Sequence, residues 1–225
     1  MPESGTDLHG IAGVDEAGRG PLIGPMVICG VLVHSDTLQE LERIGVRDSK
    51  KLTPSRRERI GAKIESIAEQ IVIRSVSAIE IDRLRRQITL NEVEVGAFTE
   101  IVKALRPEKV YLDAVDVNAE RFGIRIGENS GLALRGTVFV SEHRADSTYP
   151  IVSAASILAK VQRDLAITGL HDRYGDFGSG YPSDPKTVAF VTDLVRNGQK
   201  LPPIIRHSWS SVKRIQDEAK QASIL

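Results

Sequence analysis

The chain has 225 residues, of which 41% are hydrophobic and 27% charged, and its 30 basic side chains are balanced by 30 acidic ones. This length and composition indicate a globular protein with one large domain, and they exclude disordered, fibrous and repeat-built chains. The longest apolar stretch, Leu22 to Val33, is interrupted by Gly24, Pro25 and Gly30 and is too short to cross a membrane. Cys29 is the only cysteine, which excludes an internal disulfide and favours a cytoplasmic location.

Strand-forming and helix-forming segments alternate along the chain. The runs Ile11 to Val14 and Pro25 to His34 predict a β-hairpin, and Thr53-Pro54 predicts the start of a helix that continues to about Glu69. The later predictions are, in order, a strand at 70–77, a helix at 90–105, a strand from Lys109 to Asp113, a helix near Asn118, a strand at 137–140, a long helix at 150–168, a loop at 175–185, and helices from Asp184 and about Trp209. This order predicts a mixed α/β layer fold with a helical C-terminal extension.

Charged residues are segregated near the N-terminus although the total charge is zero. Residues 1–42 contain seven acidic side chains and one basic one, whereas residues 43–63 contain eight basic side chains and two acidic ones. Carboxylates that hold metal beside cations that hold phosphate would suit a nuclease. A solvated amphipathic helix with surface ion pairs is the simpler explanation of the charges alone.

The segment GVDEAGRGP at 13–21 combines three glycines, two acids and an arginine, a composition that suits neither a strand interior nor a helix. Glycine lets a backbone approach a ligand closely and present its amide groups. The segment does not match a dinucleotide-binding turn, because the spacing from Gly18 through Gly20 to Gly24 departs from GxGxxG. A tight turn between two strands remains the alternative.

Four acids stand where strands end or helices begin. Asp15 and Glu16 are adjacent, so a regular strand would direct them to opposite faces; we expect either a bulge or a strand break at Glu16. Asp113 ends a predicted strand, and Asp146 lies in a polar loop before the long helix. For either aspartate considered by itself, a helix cap or a turn is the simpler interpretation. Together they offer the oxygen donors that Mg²⁺ or Mn²⁺ requires.

Other catalytic chemistries lack support in the sequence. The five histidines show neither HxxxH nor HExxH spacing, one cysteine cannot build a thiolate zinc site, and no GxSxG motif is present.

Five segments resemble type 2 ribonuclease H in its short archaeal form. They are GVDEAGRGPLIGP, DSKKLTPSRRE, VYLDAVDVN, ADSTYPIVSAASILAKVQRD and GDFGSGYPSDP, and the resemblance spans roughly residues 11 to 209. It implies a ribonuclease H-like mixed β-sheet flanked by helices, with a catalytic domain at 1–174 and a C-terminal loop and helical extension at 175–225 that completes the substrate cleft.

The resemblance also implies the reaction: hydrolysis of the RNA strand of RNA–DNA hybrids, and cleavage on the 5′ side of a single ribonucleotide embedded in DNA. Asp15, Glu16, Asp113 and Asp146 match the family's catalytic acids and would bind two Mg²⁺ or Mn²⁺ ions. Such an activity belongs to ribonucleotide excision repair and DNA replication.

Further residues are expected to contact the substrate. Gly18, Arg19 and Gly20 match a segment that senses the 2′-hydroxyl through backbone groups, and Tyr181 matches a tyrosine that packs against the sugar at the RNA–DNA junction. Contacts with phosphates are expected from four residues: Ser49, Lys50, Asn91 and Lys160.

A monomer is expected, and the tail departs from the family's pattern. Gln221 and Ile224 are not followed by the aromatic pair of members that bind a sliding clamp, which argues against clamp binding or indicates a shortened chain. Two rival functions are another metal-dependent nuclease or strand transferase on the same fold, and a nucleic-acid-binding module without catalysis; the four acids argue against the second.

Overall fold

A computed structural model describes residues 9–46 and 52–222 of the chain. Its strands are β1 (Ile11–Ala17), β2 (Met26–Val33), β3 (Gln70–Val76), β4 (Lys109–Asp113) and β5 (Val138–Glu142). Its α-helices are α1 (Leu38–Arg43), α2 (Pro54–Ile67), α3 (Ala78–Leu84), α4 (Leu90–Leu105), α5 (Ala119–Ser130), α6 (Ala145–Thr148), α7 (Pro150–Tyr174), α8 (Pro185–Arg196) and α9 (Ser210–Ala222).

The described strands form a five-stranded mixed sheet in the order β3-β2-β1-β4-β5. β1 and β2 pair antiparallel, with Ile11 opposite Val33 and Ala17 opposite Val27, which confirms the predicted hairpin. β1 pairs parallel with β4, and β4 pairs parallel with β5. The carboxyl ends of these three parallel strands therefore lie at one edge of the sheet.

Local signals account for the starts of three helices. Thr53 accepts a hydrogen bond from the backbone N–H of Arg56, and Pro54 is the first residue of α2, as predicted. Asn118 and Asp184 cap α5 and α8 in the same way. Three short helices were not predicted: α1, α3 and α6, which have six, seven and four residues.

The chain divides into two compact units. Among the described residues, the first unit comprises 9–17, 27–46, 52–74 and 94–162, and the second comprises 18–26, 75–93 and 163–222. The sequence-based division at residue 174, which assigns a cleft-completing role to the last quarter of the chain, stays a prediction.

Each unit has its own hydrophobic core. In the first unit, β1 and β2 present Ala17, Val27 and Cys29 to buried residues of α2 and α7, such as Ile64 and Val152. In the second unit, Leu22 and Ile23 are buried with Phe177, Val191 and Ile205. Among the described helices, none is both long enough and apolar enough to cross a membrane.

Candidate active site

Asp15 and Asp113 are brought together by the pairing of two parallel strands. Val14 of β1 is the register partner of Leu112 of β4, and each aspartate is the next residue along its strand. Because side chains alternate along a strand, residues that follow paired positions in parallel strands lie on the same face. The sheet therefore sets the two carboxylates side by side at its edge.

Asp146 joins them from the short helix α6, not from a loop as the sequence suggested. The chain turns from β5 into α6 at Arg144, whose φ of 58° is unusual for a residue other than glycine. The backbone N–H of Ala145 then donates to Oδ1 of Asp113 over 2.8 Å. This hydrogen bond fixes the start of α6 against the end of β4.

The three carboxylates form a cluster that could hold a metal ion. Each of Asp15, Asp113 and Asp146 offers an oxygen, and these oxygens lie within 4.8 Å of one another. An all-oxygen donor set suits hard cations such as Mg²⁺ and Mn²⁺, and a cation would offset the repulsion between clustered negative charges. The residues therefore fit a divalent ion.

Glu16 lies outside this cluster of three. β1 continues in uninterrupted register to Ala17, with Glu16 opposite Ile28, so neither the expected bulge nor a break occurs at Glu16. Strand alternation directs its side chain to the face opposite Asp15. A metal-binding role for Glu16 stays a prediction.

Asp15 is buried, and groups beside it partly offset the effect of burial on its pKa. Burial raises the pKa of Asp15 above its ordinary value, while the charge of Lys160 and a hydrogen bond from Ser156 act in the opposite direction. Nζ of Lys160 donates to Oγ of Ser156, one helical turn away on α7. Lys160, expected from the sequence to contact phosphate, thus lies within the electrostatic reach of the acid cluster.

Gly13 allows α7 to approach the strand that carries Asp15. A Cβ at this position would lie 2.5 Å from the carbonyl carbon and oxygen of Ile151 and 2.6 Å from the backbone nitrogen of Val152. No larger residue fits without displacement of the first turn of α7. Gly13 and Asp15 face the same side of β1, so this close approach places Ser156 and Lys160 near the carboxylate.

The loop after β1 has a backbone that requires glycine. Gly18 has a φ of 84°, and a Cβ there would lie 2.6 Å from Cδ and Nε of Arg163. Nη2 of Arg19 donates to Oδ1 of Asn91 over 2.8 Å, so two residues expected to contact substrate are joined. A Cβ at Gly20 would meet no heavy atom within 4 Å, which indicates open space beside it.

Tyr181 is held at a second loop of the same unit. The carbonyl of Gly180 accepts hydrogen bonds from the backbone N–H groups of Leu22 and Ile23, at 2.7 and 3.2 Å. The Tyr181 side chain is 36% exposed, and its ring stacks on Arg163. The ring is therefore in contact with Arg163 and still partly exposed to solvent.

The structure leaves two predicted substrate contacts untested and buries several charged residues outside the acid cluster. Ser49 and Lys50 lie outside the described residues. Asp116 is buried and bound by Arg121 at 2.6 Å, apart from the cluster of three acids. Arg163 and Arg206 are buried arginines that sequence reasoning missed, because residue type alone does not distinguish a buried arginine from an exposed one.

Comparison with known proteins places this geometry in a family. The family model for ribonuclease HII matches residues 12–212. Ribonuclease HII of Methanosarcina barkeri is 45% identical over 217 residues, covering 94% of this chain and 97% of the relative. The structure of ribonuclease H2 from Pyrococcus horikoshii superposes with a TM-score of 0.87 at 39% identity, covering 94% of this chain and 99% of the other.

A third relative was solved together with a partner. It is ribonuclease HII of Archaeoglobus fulgidus in a complex with PCNA, with a TM-score of 0.84 at 39% identity, covering 92% of this chain and 96% of that chain.

The mixed sheet and its flanking helices thus have the ribonuclease H type of fold. Together with the acid cluster, this fold indicates an enzyme that hydrolyses nucleic-acid phosphodiesters. The chain belongs to the ribonuclease HII family, and its activity is that of a ribonuclease H endonuclease. The family expected from the sequence motifs is therefore confirmed.

Proposed function

We propose that this protein hydrolyses the RNA strand of RNA–DNA hybrids and cuts on the 5′ side of single ribonucleotides embedded in duplex DNA. The convergence of Asp15, Asp113 and Asp146 is the observation that carries this proposal. Two Mg²⁺ or Mn²⁺ ions would be held there, with Glu16 as the fourth acid. When bound, such ions supply an activated water and stabilise the charge that develops on the departing 3′ oxygen.

Neighbouring residues fix the position of Asp113 and favour the charged form of Asp15. The N–H of Ala145 fixes one oxygen of Asp113, and Ser156 and Lys160 favour the charged form of Asp15 against the effect of burial. No side chain is required as a nucleophile, so no covalent intermediate with the enzyme forms. Water attack at phosphorus leaves a 3′-hydroxyl and a 5′-phosphate.

Discrimination between RNA and DNA is assigned to the second unit. Backbone groups of Gly18, Arg19 and Gly20 would recognise the 2′-hydroxyl, because glycine leaves the backbone open to close approach. The exposed face of the Tyr181 ring would pack against the next sugar. Four residues would bind phosphates: Ser49, Lys50, Asn91 and Lys160.

The cellular role would be repair and replication, through removal of ribonucleotides from DNA. Clamp binding, seen in the Archaeoglobus fulgidus relative, is not part of the proposal for this chain.

A labelled duplex with one ribonucleotide tests the proposal directly. Incubation with Mg²⁺ and mapping of the ends should show one cut on the 5′ side of the ribonucleotide, with a 3′-hydroxyl on the upstream fragment. A cut on the 3′ side with a cyclic phosphate would contradict it, because that product requires attack by the 2′-hydroxyl. An all-DNA duplex of the same sequence is the control, and its cleavage would favour a nuclease with a different substrate.

A further inference from the structure

Arg206 is completely buried and donates hydrogen bonds to three carbonyls of one loop. Its Nε donates to Gly24 at 3.0 Å, its Nη1 to Arg19 at 2.8 Å and its Nη2 to Gly18 at 2.6 Å. The backbone of the same residue donates to the carbonyl of Leu22 at 2.8 Å. The loop at 18–24 is thus wrapped around one guanidinium group.

Complete burial of a charged side chain costs more free energy than burial of an apolar one. Burial, and secondly the charge of Arg163, lowers the pKa of Arg206 to about 9, so the group remains charged at neutral pH. Well-packed apolar residues in place of buried charges are often neutral or stabilising. The guanidinium offers instead a rigid fork of donors, which a lysine ammonium cannot reproduce. Its contacts therefore point to control of loop conformation.

Trp209 holds the next carbonyl of the loop. Its Nε1 donates to the oxygen of Gly20 at 3.3 Å, and its ring lies 4.8 Å from Cζ of Arg206. Three consecutive carbonyls, those of Gly18, Arg19 and Gly20, are consequently fixed by two side chains from the segment that leads into α9.

The orientation of these carbonyls determines where the amide groups point. All peptide bonds in the described residues are trans, and a trans peptide directs its C=O and N–H to opposite sides. Because the carbonyls of Gly18 and Arg19 point towards Arg206, the N–H groups of Arg19 and Gly20 point away from it. Two successive amide groups with one orientation form a concave donor site for an oxygen ligand.

We propose that Arg206, together with Trp209, is a positioning residue that turns the amide groups of Arg19 and Gly20 towards the ribose 2′-hydroxyl. The inference rests on the proposed function, in which the loop at 18–20 reads that hydroxyl. Arg206 does not touch the substrate; it acts through the backbone of the loop.

The test measures binding apart from cleavage. In an Asp113→Asn background, dissociation constants are measured for two duplexes of one sequence, one with a single ribonucleotide and one all-deoxy. The ribose preference is the dissociation constant of the all-deoxy duplex divided by that of the ribonucleotide duplex. Arg206→Lys should lower this preference by about tenfold, since bonds donated by a charged fork are lost, and should leave affinity for the all-deoxy duplex unchanged. Arg196→Lys, which changes an exposed arginine of α8, should leave the ratio unchanged.

Hydrogen exchange supplies the second measurement. Arg206→Lys should accelerate exchange in the peptide that contains residues 18–24, with unchanged exchange in α2. A retained ribose preference in Arg206→Lys would overturn the positioning role alone. A background protein with no preference at all would overturn the proposed reading of ribose by this loop, and the inference with it.

A folding defect in Arg206→Lys would not end the test. Trp209→Phe keeps an aromatic ring beside Arg206 and removes only the donor to Gly20, so its ribose preference should fall while its melting temperature stays near that of the parent. An unchanged preference in Trp209→Phe would then overturn the proposal.

Discussion

The guanidinium carbon of Arg163 lies 4.8 Å from the centre of the Tyr181 ring. Arg163 is itself buried, and its Nη2 donates to the carbonyl of Ser179 at 3.1 Å, so the ring rests on a fixed cation. Because the Tyr181 ring is partly exposed, a contact of this kind stabilises by about 1 kcal/mol. Support of the Tyr181 ring is therefore a role that the structure gives to Arg163.

Removal of either partner should slow cleavage at a single ribonucleotide. Tyr181→Ala should reduce kcat/KM markedly, whereas Tyr181→Phe keeps the ring on Arg163 and should retain most of it. Arg163→Met should reduce kcat/KM by about fivefold, the equivalent of about 1 kcal/mol in the transition state. Steady-state kinetics on a duplex with one ribonucleotide provides the measurement.

An exposed arginine on the same helix controls for this substitution. Arg173→Met should leave kcat/KM unchanged, because Arg173 of α7 is exposed. If Arg163→Met were as active as the parent while Tyr181→Ala were not, the ring would act without the support of the guanidinium.

Substitution of the clustered acids should abolish catalysis without loss of the fold. Asp15→Asn or Asp113→Asn should lower turnover by several orders of magnitude, because each removes a charged oxygen donor. In the parent, Mg²⁺ at about 100 times its dissociation constant should add about 2.7 kcal/mol to the free energy of unfolding. Both variants should lose most of this gain, measured as the metal-dependent rise in melting temperature.

Asp116 offers a matched control. It is a buried aspartate outside the cluster, hydrogen-bonded to Arg121 and to the N–H of Asn118. Asp116→Asn should lower the melting temperature but preserve the rise caused by Mg²⁺. Near-normal turnover in Asp15→Asn at saturating Mg²⁺ would show that the cluster is not the catalytic centre.

In the metal-free protein, the contribution of Asp15 to stability should fall as the pH rises. Burial raises the pKa of Asp15 above the unfolded value of about 3.9, so folding binds a proton between these two values. The contribution of Asp15 to stability is thus largest below this window and declines through it. In EDTA, Asp15→Asn should become increasingly more stable than the parent as the pH rises from about 4 through the raised pKa of Asp15 in the folded protein.

Urea unfolding at several pH values measures this difference. Mg²⁺ should reverse it, because the metal binds the charged carboxylate and its stabilisation of the parent grows over the same window. A stability difference that did not change with pH would show that Asp15 has the same pKa in the folded and unfolded protein.

The parts of the site that follow from local sequence were predictable. Asp113 ends a short apolar strand, and its position at the sheet edge follows from that pattern. The sequence predicts a loop at Asp146 because a helix of four residues, α6, is too short to show helical periodicity. The six-residue helix α1 gives no periodic signal for the same reason. Helix α3 does carry a start signal that sequence reasoning missed, because Ser77 accepts a hydrogen bond from the backbone N–H of Glu80 in a Ser-x-x-Glu capping pattern.

The parts that depend on distant contacts were not predictable. Arg206 binds carbonyls that are 182 to 188 residues earlier in the chain, and no local pattern encodes such contacts. The sequence predicts a bulge or a break at Glu16, because an ideal strand would direct Asp15 and Glu16 to opposite faces. It did not indicate that β1 would continue through Glu16 without a bulge.

The close approach of α7 to β1 yields the last prediction, at Gly13. Gly13→Ala should lower the free energy of unfolding by about 1–3 kcal/mol, because its Cβ would lie 2.5 Å from the Ile151 carbonyl. The helix would have to move away from the strand, and Ser156 and Lys160 would move from Asp15 with it. Affinity for Mg²⁺, measured by the metal-dependent rise in melting temperature, should fall. Gly96→Ala in α4 adds the same methyl group where no atom lies within 4 Å, so stability should rise slightly and metal affinity should not change. Equal metal affinity in Gly13→Ala and Gly96→Ala would show that the acid cluster does not depend on the seating of α7.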